Sequence, residues 1–252
     1  MKNFQVEKLE VTVADSRKEM GKYAADKCEQ YINELLASKE HINMVFAAAP
    51  SQNEFLESLL ERDIDFSRIN AFHMDEYVGL ASTHNQSFGY FLTEHIFGKA
   101  NFRSVNLINA TAPIEEACAQ YTQLLKDNPV DIVCMGIGEN GHIAFNDPPV
   151  ADFNDPFVIK KVELDEICRN QQVNDGCFAN IDLVPKYALT LTVPALFSAS
   201  KIVCTVPAIT KAKATRRMLD GEISTECPAT VLRKHDCAHL FLDPDSASLL
   251  EE

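Results

Sequence analysis

Long apolar runs are missing from this 252-residue sequence. No stretch of 18 apolar residues occurs, so no transmembrane helix is expected. The start, Met1 to Val11, lacks the apolar centre of a signal peptide. Positive charge is scarce: 23 Lys plus Arg stand against 37 Asp plus Glu, for a formal charge of −14. That balance disfavours nucleic acid, whose binders neutralise phosphates, and an anionic membrane surface. A small anionic substrate stays open, because it needs only a few local positive groups. The eight cysteines form no Cys-x-x-Cys pair and are too sparse for a disulfide framework. A reduced, cytoplasmic protein is the expectation. With no internal repeat and no Ser/Gly-rich linker, residues 1–252 read as a single domain.

Apolar residues make up 46% and charged residues 24%, as in an ordinary globular protein with a large core. Strand-like and helix-like segments alternate. Glu10 to Ala14 alternates apolar and polar. Asp15 to Lys39 is helical, with Met20, Ala24, Cys28, Tyr31, Leu35 and Leu36 on one face. Asn43 to Ala49, Arg68 to Met74 and Val130 to Met135 read as buried strands. Val105 to Ile108, Tyr187 to Leu191, Ile202 to Val206 and Ala238 to Leu242 are further strands. Ser87 to Phe97, Ile114 to Lys126 and Thr210 to Leu219 are further helices. Ser51 with Glu54 predicts a capping box opening another helix. The pattern implies an α/β fold: a three-layer, mostly parallel, Rossmann-like sheet with helices on both faces. Ligands bind beyond the carboxyl ends of such strands. The turns after Ala49, Met74 and Met135 should therefore converge, and the unusual residues sit there.

After Met74 come adjacent carboxylates, Asp75 and Glu76. Strand alternation lets only one face a given crevice, where partial burial would raise its pKa and make it a general base. A solvated pair opening a loop is the plainer alternative. After Met135 comes Gly136-Ile137-Gly138-Glu139-Asn140-Gly141-His142, with three glycines in six residues. Gly138 and its neighbours let backbone approach a ligand closely. His142 suits proton transfer near neutral pH, with Asn140 and Asp147 as candidate orienting partners. This is a Gly-x-Gly-x-x-Gly by letters only, since no ribose-binding acid follows about 20 residues on. After Ala49, Ser51, Gln52 and Asn53 open a helix whose N–H groups could hold an anion. It has no glycine and is no P-loop. Arg169 and Lys211 are candidate cations for an anionic substrate. No metal site is expected: His235, Cys237 and His239 lack a second cluster to complete a coordination shell. No Gly-x-Ser-x-Gly elbow occurs, and Cys134 and Cys204 read as core.

Met74-Asp75-Glu76-Tyr77-Val78-Gly79-Leu80, Gly141-His142-Ile143-Ala144-Phe145-Asn146 and Val184-Pro185-Lys186-Tyr187-Ala188-Leu189-Thr190 occur in this order. Together they resemble segments of the glucosamine-6-phosphate deaminase family, which shares its fold with 6-phosphogluconolactonase. The resemblance runs from about Asn43 to Asp243. It implies that Asp75 moves a proton between C2 and C1 of an open-chain sugar phosphate and that His142 opens the pyranose ring. It also implies that Lys211, and with a weaker alignment Arg169, contact the phosphate. No cofactor is implied, and family members range from small oligomers to regulated hexamers, which allows a homo-oligomer here. Three positions depart from the family. Asn140 stands where it has Asp, Asp147 where it has Glu, and Pro50-Ser51-Gln52-Asn53 where it has a Thr-Gly-Gly-Thr type of loop. Asn140 can orient the imidazole but brings no charge. Asp147 is one methylene short, and is expected to reach the ring only if the Pro148-Pro149 loop moves closer.

The expected reaction converts glucosamine 6-phosphate to fructose 6-phosphate and ammonia. The altered Ser51 turn keeps another sugar phosphate open, such as a galactosamine phosphate. Lactone hydrolysis is the sister chemistry, but it needs a base for water rather than for a C–H bond. A sugar-phosphate sensor without turnover is disfavoured, because Asp75 and His142 are both present and an acidic chain of this length leaves no room for a DNA-binding head.

Overall fold

The computed structural model describes residues 1–174 and 176–250. In chain order the elements are β1 (Lys2–Val6), β2 (Leu9–Val13), α1 (Arg17–Leu36), β3 (Ile42–Phe46), α2 (Asn53–Leu60), β4 (Ile69–His73), β5 (Asp75–Tyr77), α3 (Phe88–Leu92), β6 (Ser104–Asn106), α4 (Ile114–Asp127), β7 (Ile132–Met135), β8 (Ile159–Glu163), α5 (Glu166–Asn174), β9 (Tyr187–Leu191), α6 (Val193–Phe197), β10 (Lys201–Val206), α7 (Ala212–Asp220) and β11 (Ala238–Leu242).

Eight strands form the main sheet in the order β1-β2-β11-β10-β7-β3-β4-β6. All neighbours are parallel except the edge pair β1 and β2. The buried strands are apolar on both faces, and successive residues face opposite layers. In β3, Ile42, Met44 and Phe46 join one core while Val45 joins the other. The first core takes Met20, Ala24 and Cys28 of α1 and Phe55, Leu56 and Leu59 of α2. The second takes Tyr121 and Leu125 of α4, Val193 and Leu196 of α6, and Met218 and Leu219 of α7. These are the helix layers on the two faces, and burying each large side chain contributes roughly 1.5–3 kcal/mol.

From β3 the chain adds β4 and β6 on one side. It then returns as β7 against the other flank of β3 and continues to β10 and β11. The direction of winding reverses between β3 and β7, and such a reversal leaves a crevice at the carboxyl ends of the strands.

Several sequence expectations are corrected. A second sheet exists, three antiparallel strands in the order β5-β9-β8. Tyr187–Leu191 belongs to it rather than to the main sheet, with Asp75 opposite Thr190. The helix expected over 87–97 splits into α3 and a π-helical turn, Thr93–Phe97. The capping box at Ser51 is not formed. Pro50–Gln52 make a 3-10 turn, and α2 begins only at Asn53 without a side-chain cap. Glu54 pairs instead with Arg17, its Oε1 accepting from Nε at 2.8 Å. Proline favours the first position of a helical turn, so the start moves, and an ionic partner outcompetes a neutral backbone N–H.

Candidate active site

Loops from the carboxyl ends of β3, β4, β7 and β10 line one cleft, joined by the start of α1 and by α5. Its empty volume is about 860 Å³ including the open mouth.

Asp75 opens β5, one residue beyond β4, and lines the cleft. Glu76 points the other way. Its carboxylate accepts the backbone N–H groups of Tyr77 (2.9 Å), Phe88 (3.1 Å) and Gly89 (2.9 Å). Alternation along β5 thus gives the adjacent acids different tasks. Burial pushes the Asp75 carboxyl well above the usual carboxylate range, and the neighbouring Glu76 charge adds to it. Burial also lifts Glu76 to about 7, against the pull of its three N–H donors.

His142 ends the glycine loop after β7. The loop closes on itself through Gly141 N–H to the Gly138 carbonyl and Gly138 N–H to the His142 carbonyl, each at 3.0 Å. A Cβ on Gly138 would lie 2.1 Å from His142 Cε1, so only glycine lets the ring pack against this backbone. Gly141 has φ +83°, and a Cβ there would meet Cys227 Sγ at 2.3 Å. The imidazole Nδ1 lies 2.9 Å from Asn140 Oδ1 and 2.9 Å from Asp147 Oδ1. Asn140 also accepts the His142 backbone N–H at 3.0 Å and donates Nδ2 to Asp147 at 2.8 Å. With two oxygens facing it, Nδ1 carries the proton, and Nε2 bears neither of these contacts. Asp147 reaches the ring, Oδ1 lying 2.9 Å from Nδ1, although its side chain is one methylene shorter than a glutamate. Burial raises its pKa, but the His142 charge and hydrogen bonds from His142, Asn140 and Cys168 outweigh this, and the net shift is downward.

His142, Asp147 and Cys168 offer donor atoms all within 4.8 Å of one another, a grouping that could hold a metal ion. The Nδ1–Oδ1 separation is that of a hydrogen bond. Burial, then the Asp147 charge, pushes the Cys168 thiol well up, which opposes the thiolate a metal needs. Hydrogen bonding accounts for the arrangement.

Of the other expected residues, Ser51, Gln52, Gly138 and Lys211 line the cleft. Gln52 is buried, its Oε1 accepting the Thr205 hydroxyl at 2.9 Å and its Nε2 donating to Ser51 Oγ at 3.2 Å. Asn53 does not line the cleft; it opens α2. Arg169 is a correction. Its Nη2 donates to the carbonyls of Ile181 (2.6 Å) and Val184 (3.1 Å), away from the cleft. The same helix sends Gln171 and Gln172 there instead, with Gln172 Oε1 accepting the Tyr77 hydroxyl at 2.8 Å. Arg17 also lines the cleft and was missed. It is the first residue of α1, and the crevice rule, applied to the turn after β2 as well, would have flagged it.

A family model described as glucosamine-6-phosphate isomerases/6-phosphogluconolactonase matches residues 15–152. A glucosamine-6-phosphate deaminase of Lactobacillus delbrueckii subsp. bulgaricus is 34% identical over 246 residues, covering 96% of this chain and 100% of that protein. The chain belongs to the glucosamine-6-phosphate isomerase/6-phosphogluconolactonase family. Among solved members, a monomeric glucosamine-6-phosphate deaminase superposes with a TM-score of 0.85 at 29% identity, covering 95% of this chain and 99% of that one. A 6-phosphogluconolactonase from Thermotoga maritima shares the fold at 20% identity, with a TM-score of 0.77 over 94% of this chain and 100% of that one. The segments 74–80 and 141–146 meet at the cleft, one through Asp75 and the other through His142.

Proposed function

We propose that this protein is a glucosamine-6-phosphate deaminase, converting glucosamine 6-phosphate and water to fructose 6-phosphate and ammonia. One observation carries the reading. Asp75 on the small sheet and His142 on the glycine loop line the same cleft, together with Ser51 and the buried Lys211. The identity to a glucosamine-6-phosphate deaminase over nearly the whole chain supports the same substrate.

His142 Nε2 handles the proton at the pyranose ring oxygen, opening the ring to the C1 aldehyde. The imidazolium that forms in passing is stabilised by Asp147 through Nδ1, with Asn140 holding ring and carboxylate in register. Asp75, as carboxylate, takes the C2 proton, made acidic by the adjacent carbonyl, and an enolamine forms as O1 takes a proton from solvent water. The same carboxyl returns its proton to C1, leaving an imine at C2. Water adds at C2 and ammonia departs, giving the ketose. The substrate's own carbonyl supplies the activation, so the scheme calls for no cofactor. Lys211 and the Ser51 turn hold the phosphate. We further read the protein as cytoplasmic. Its cysteines are all free, and among the described residues no helix is long and apolar enough to cross a membrane.

Purified protein should release ammonia and fructose 6-phosphate in equal amounts from glucosamine 6-phosphate. Asp75→Asn should lower kcat by about 10²–10⁴-fold, the usual worth of a general base. A near-wild-type rate in that variant would remove Asp75 from its role. Faster turnover of a galactosamine phosphate in a substrate panel would reassign the sugar.

A further inference from the structure

We infer that Arg17, and not Arg169, is the second cation that binds the substrate's phosphoryl group, with Glu54 as the residue that aims it. The inference deepens the proposed function and rests on it for the identity of the substrate, though not for the presence of an anion site.

The cleft contains only a few positive groups on a chain of net charge −14. Lys211 reaches it from the turn preceding α7. A phosphoryl dianion is best met by a lysine point charge together with the planar fork of an arginine. Arg169, the arginine that the family resemblance suggests, is committed to two backbone carbonyls and does not line the cleft. Arg17 does line it.

Arg17 is also held as a ligand-binding arginine should be. Nε donates to Glu54 Oε1 at 2.8 Å, and Nη2 donates to the Pro50 carbonyl at 2.8 Å. Pro50 precedes Ser51 in the 3-10 turn that lines the cleft. One side of the guanidinium is thus fixed to the anion-binding turn itself. A guanidinium has five N–H donors, and Nη1 takes no part in these two bonds. The side chain remains 38% exposed, so a ligand can reach it, and anchoring in advance lowers the entropy cost of binding.

A purely structural role makes a different prediction about Glu54. If Arg17 only braced the Ser51 turn, removing the Glu54 charge would weaken the brace and harm anion binding. If Arg17 contacts the anion, Glu54→Gln keeps a side-chain oxygen to accept from Nε and so to aim the fork, while it removes the charge that competes with the anion, and binding is equal or tighter.

The test is calorimetric titration of the full-length protein with inorganic phosphate, alongside kinetics with glucosamine 6-phosphate, on wild type, Arg17→Gln, Arg17→Lys and Glu54→Gln. Arg17→Gln should raise the phosphate Kd and the KM by about 10–100-fold, the worth of a charged hydrogen-bonded contact. Its kcat should stay within about 3-fold, because the phosphate is remote from the reacting carbons. Arg17→Lys should be weaker than wild type, and Glu54→Gln should bind phosphate at least as tightly as wild type. An unchanged Kd in Arg17→Gln, or a loss in Glu54→Gln matching that of Arg17→Gln, overturns the inference. Should Arg17→Gln not fold, Arg17→Lys equal to wild type or Glu54→Gln weaker than wild type has the same force. Phosphate binding that depends on Arg17 in a protein releasing no ammonia would sink the proposed reaction and leave this inference standing.

Discussion

At the scale of single residues, the setting of His142, the proposed ring-opening group, depends on how Asn140 uses its amide. Its oxygen fixes the imidazole through both backbone and Nδ1, and its nitrogen fixes Asp147. The charge that a second carboxylate would have brought is supplied by Asp147 alone, at 2.9 Å. Asp75, the proposed base, is governed by burial. Asp75 is useful only when ionised, yet its surroundings favour the protonated form, first through desolvation and then through the Glu76 charge. The sign follows directly: lowering the pH protonates Asp75 and removes the base. The acid limb of kcat should therefore lie well above the usual carboxylate range of about 4, with Glu76, near 7, titrating alongside it. Glu76→Gln removes the neighbouring charge and should move that limb to lower pH. A limb at pH 4 in wild type, or one unmoved in the variant, would contradict this account. The residue motif made the base and the histidine legible. It could not show that Arg169 is drawn off by the carbonyls of Ile181 and Val184, because that contact exists only once the loop after α5 folds back.

At the scale of elements, the cleft is bounded by backbone held under strain. Ala144 has φ +51°, and Ala208, just after β10, has φ +83°. With ψ 147°, Ala208 sits in a region nearly reserved for glycine. Its N–H donates to both carboxylate oxygens of Asp243, at 3.2 and 3.1 Å, which holds the turn presenting Lys211. Such strain costs about 1–3 kcal/mol, against roughly 0.4–1 kcal/mol of added chain entropy for a glycine. Ala208→Gly should therefore stabilise the protein by about 1 kcal/mol, read from the urea midpoint; a destabilised variant would show that the strain is relieved elsewhere. The periodic elements could be read ahead because their apolar stripes are local. The β1–β2 hairpin was silent for a physical reason: Glu7 takes φ +53° where a turn signal would have shown Gly or Asn. The small sheet was silent because β5 has three residues and pairs with a strand more than 100 positions away.

At the scale of the whole molecule, eight free cysteines are distributed through a chain with no disulfide among the described residues. Cys28, Cys134, Cys168, Cys204 and Cys227 are buried, and Cys118, Cys177 and Cys237 are partly exposed. Burial pushes the Cys134 and Cys168 thiols well up, further suppressing thiolate. In the native state a thiol reagent such as Ellman's should modify at most three groups rapidly, and all eight after denaturation. Rapid modification of five or more would mean that the two cores are not packed as described. The melting temperature should also be indifferent to reductant.

The sequence by itself determined the layered α/β plan, the carboxylate and the histidine, and the shortage of positive charge that makes each cation in the cleft matter. The plan and the charge balance follow from side-chain periodicity and composition, and the carboxylate and the histidine from motifs that resemble the family's; all are local properties of the chain. Only the tertiary structure decided which arginine enters the cleft, which of two adjacent acids faces the cleft, and whether Asp147 touches the imidazole. Each of those depends on where a distant segment lies: the Pro50 turn for Arg17, the start of α3 for Glu76, the folded glycine loop for His142. Contacts between segments far apart in sequence leave no period or spacing to read until the sheet has brought them together.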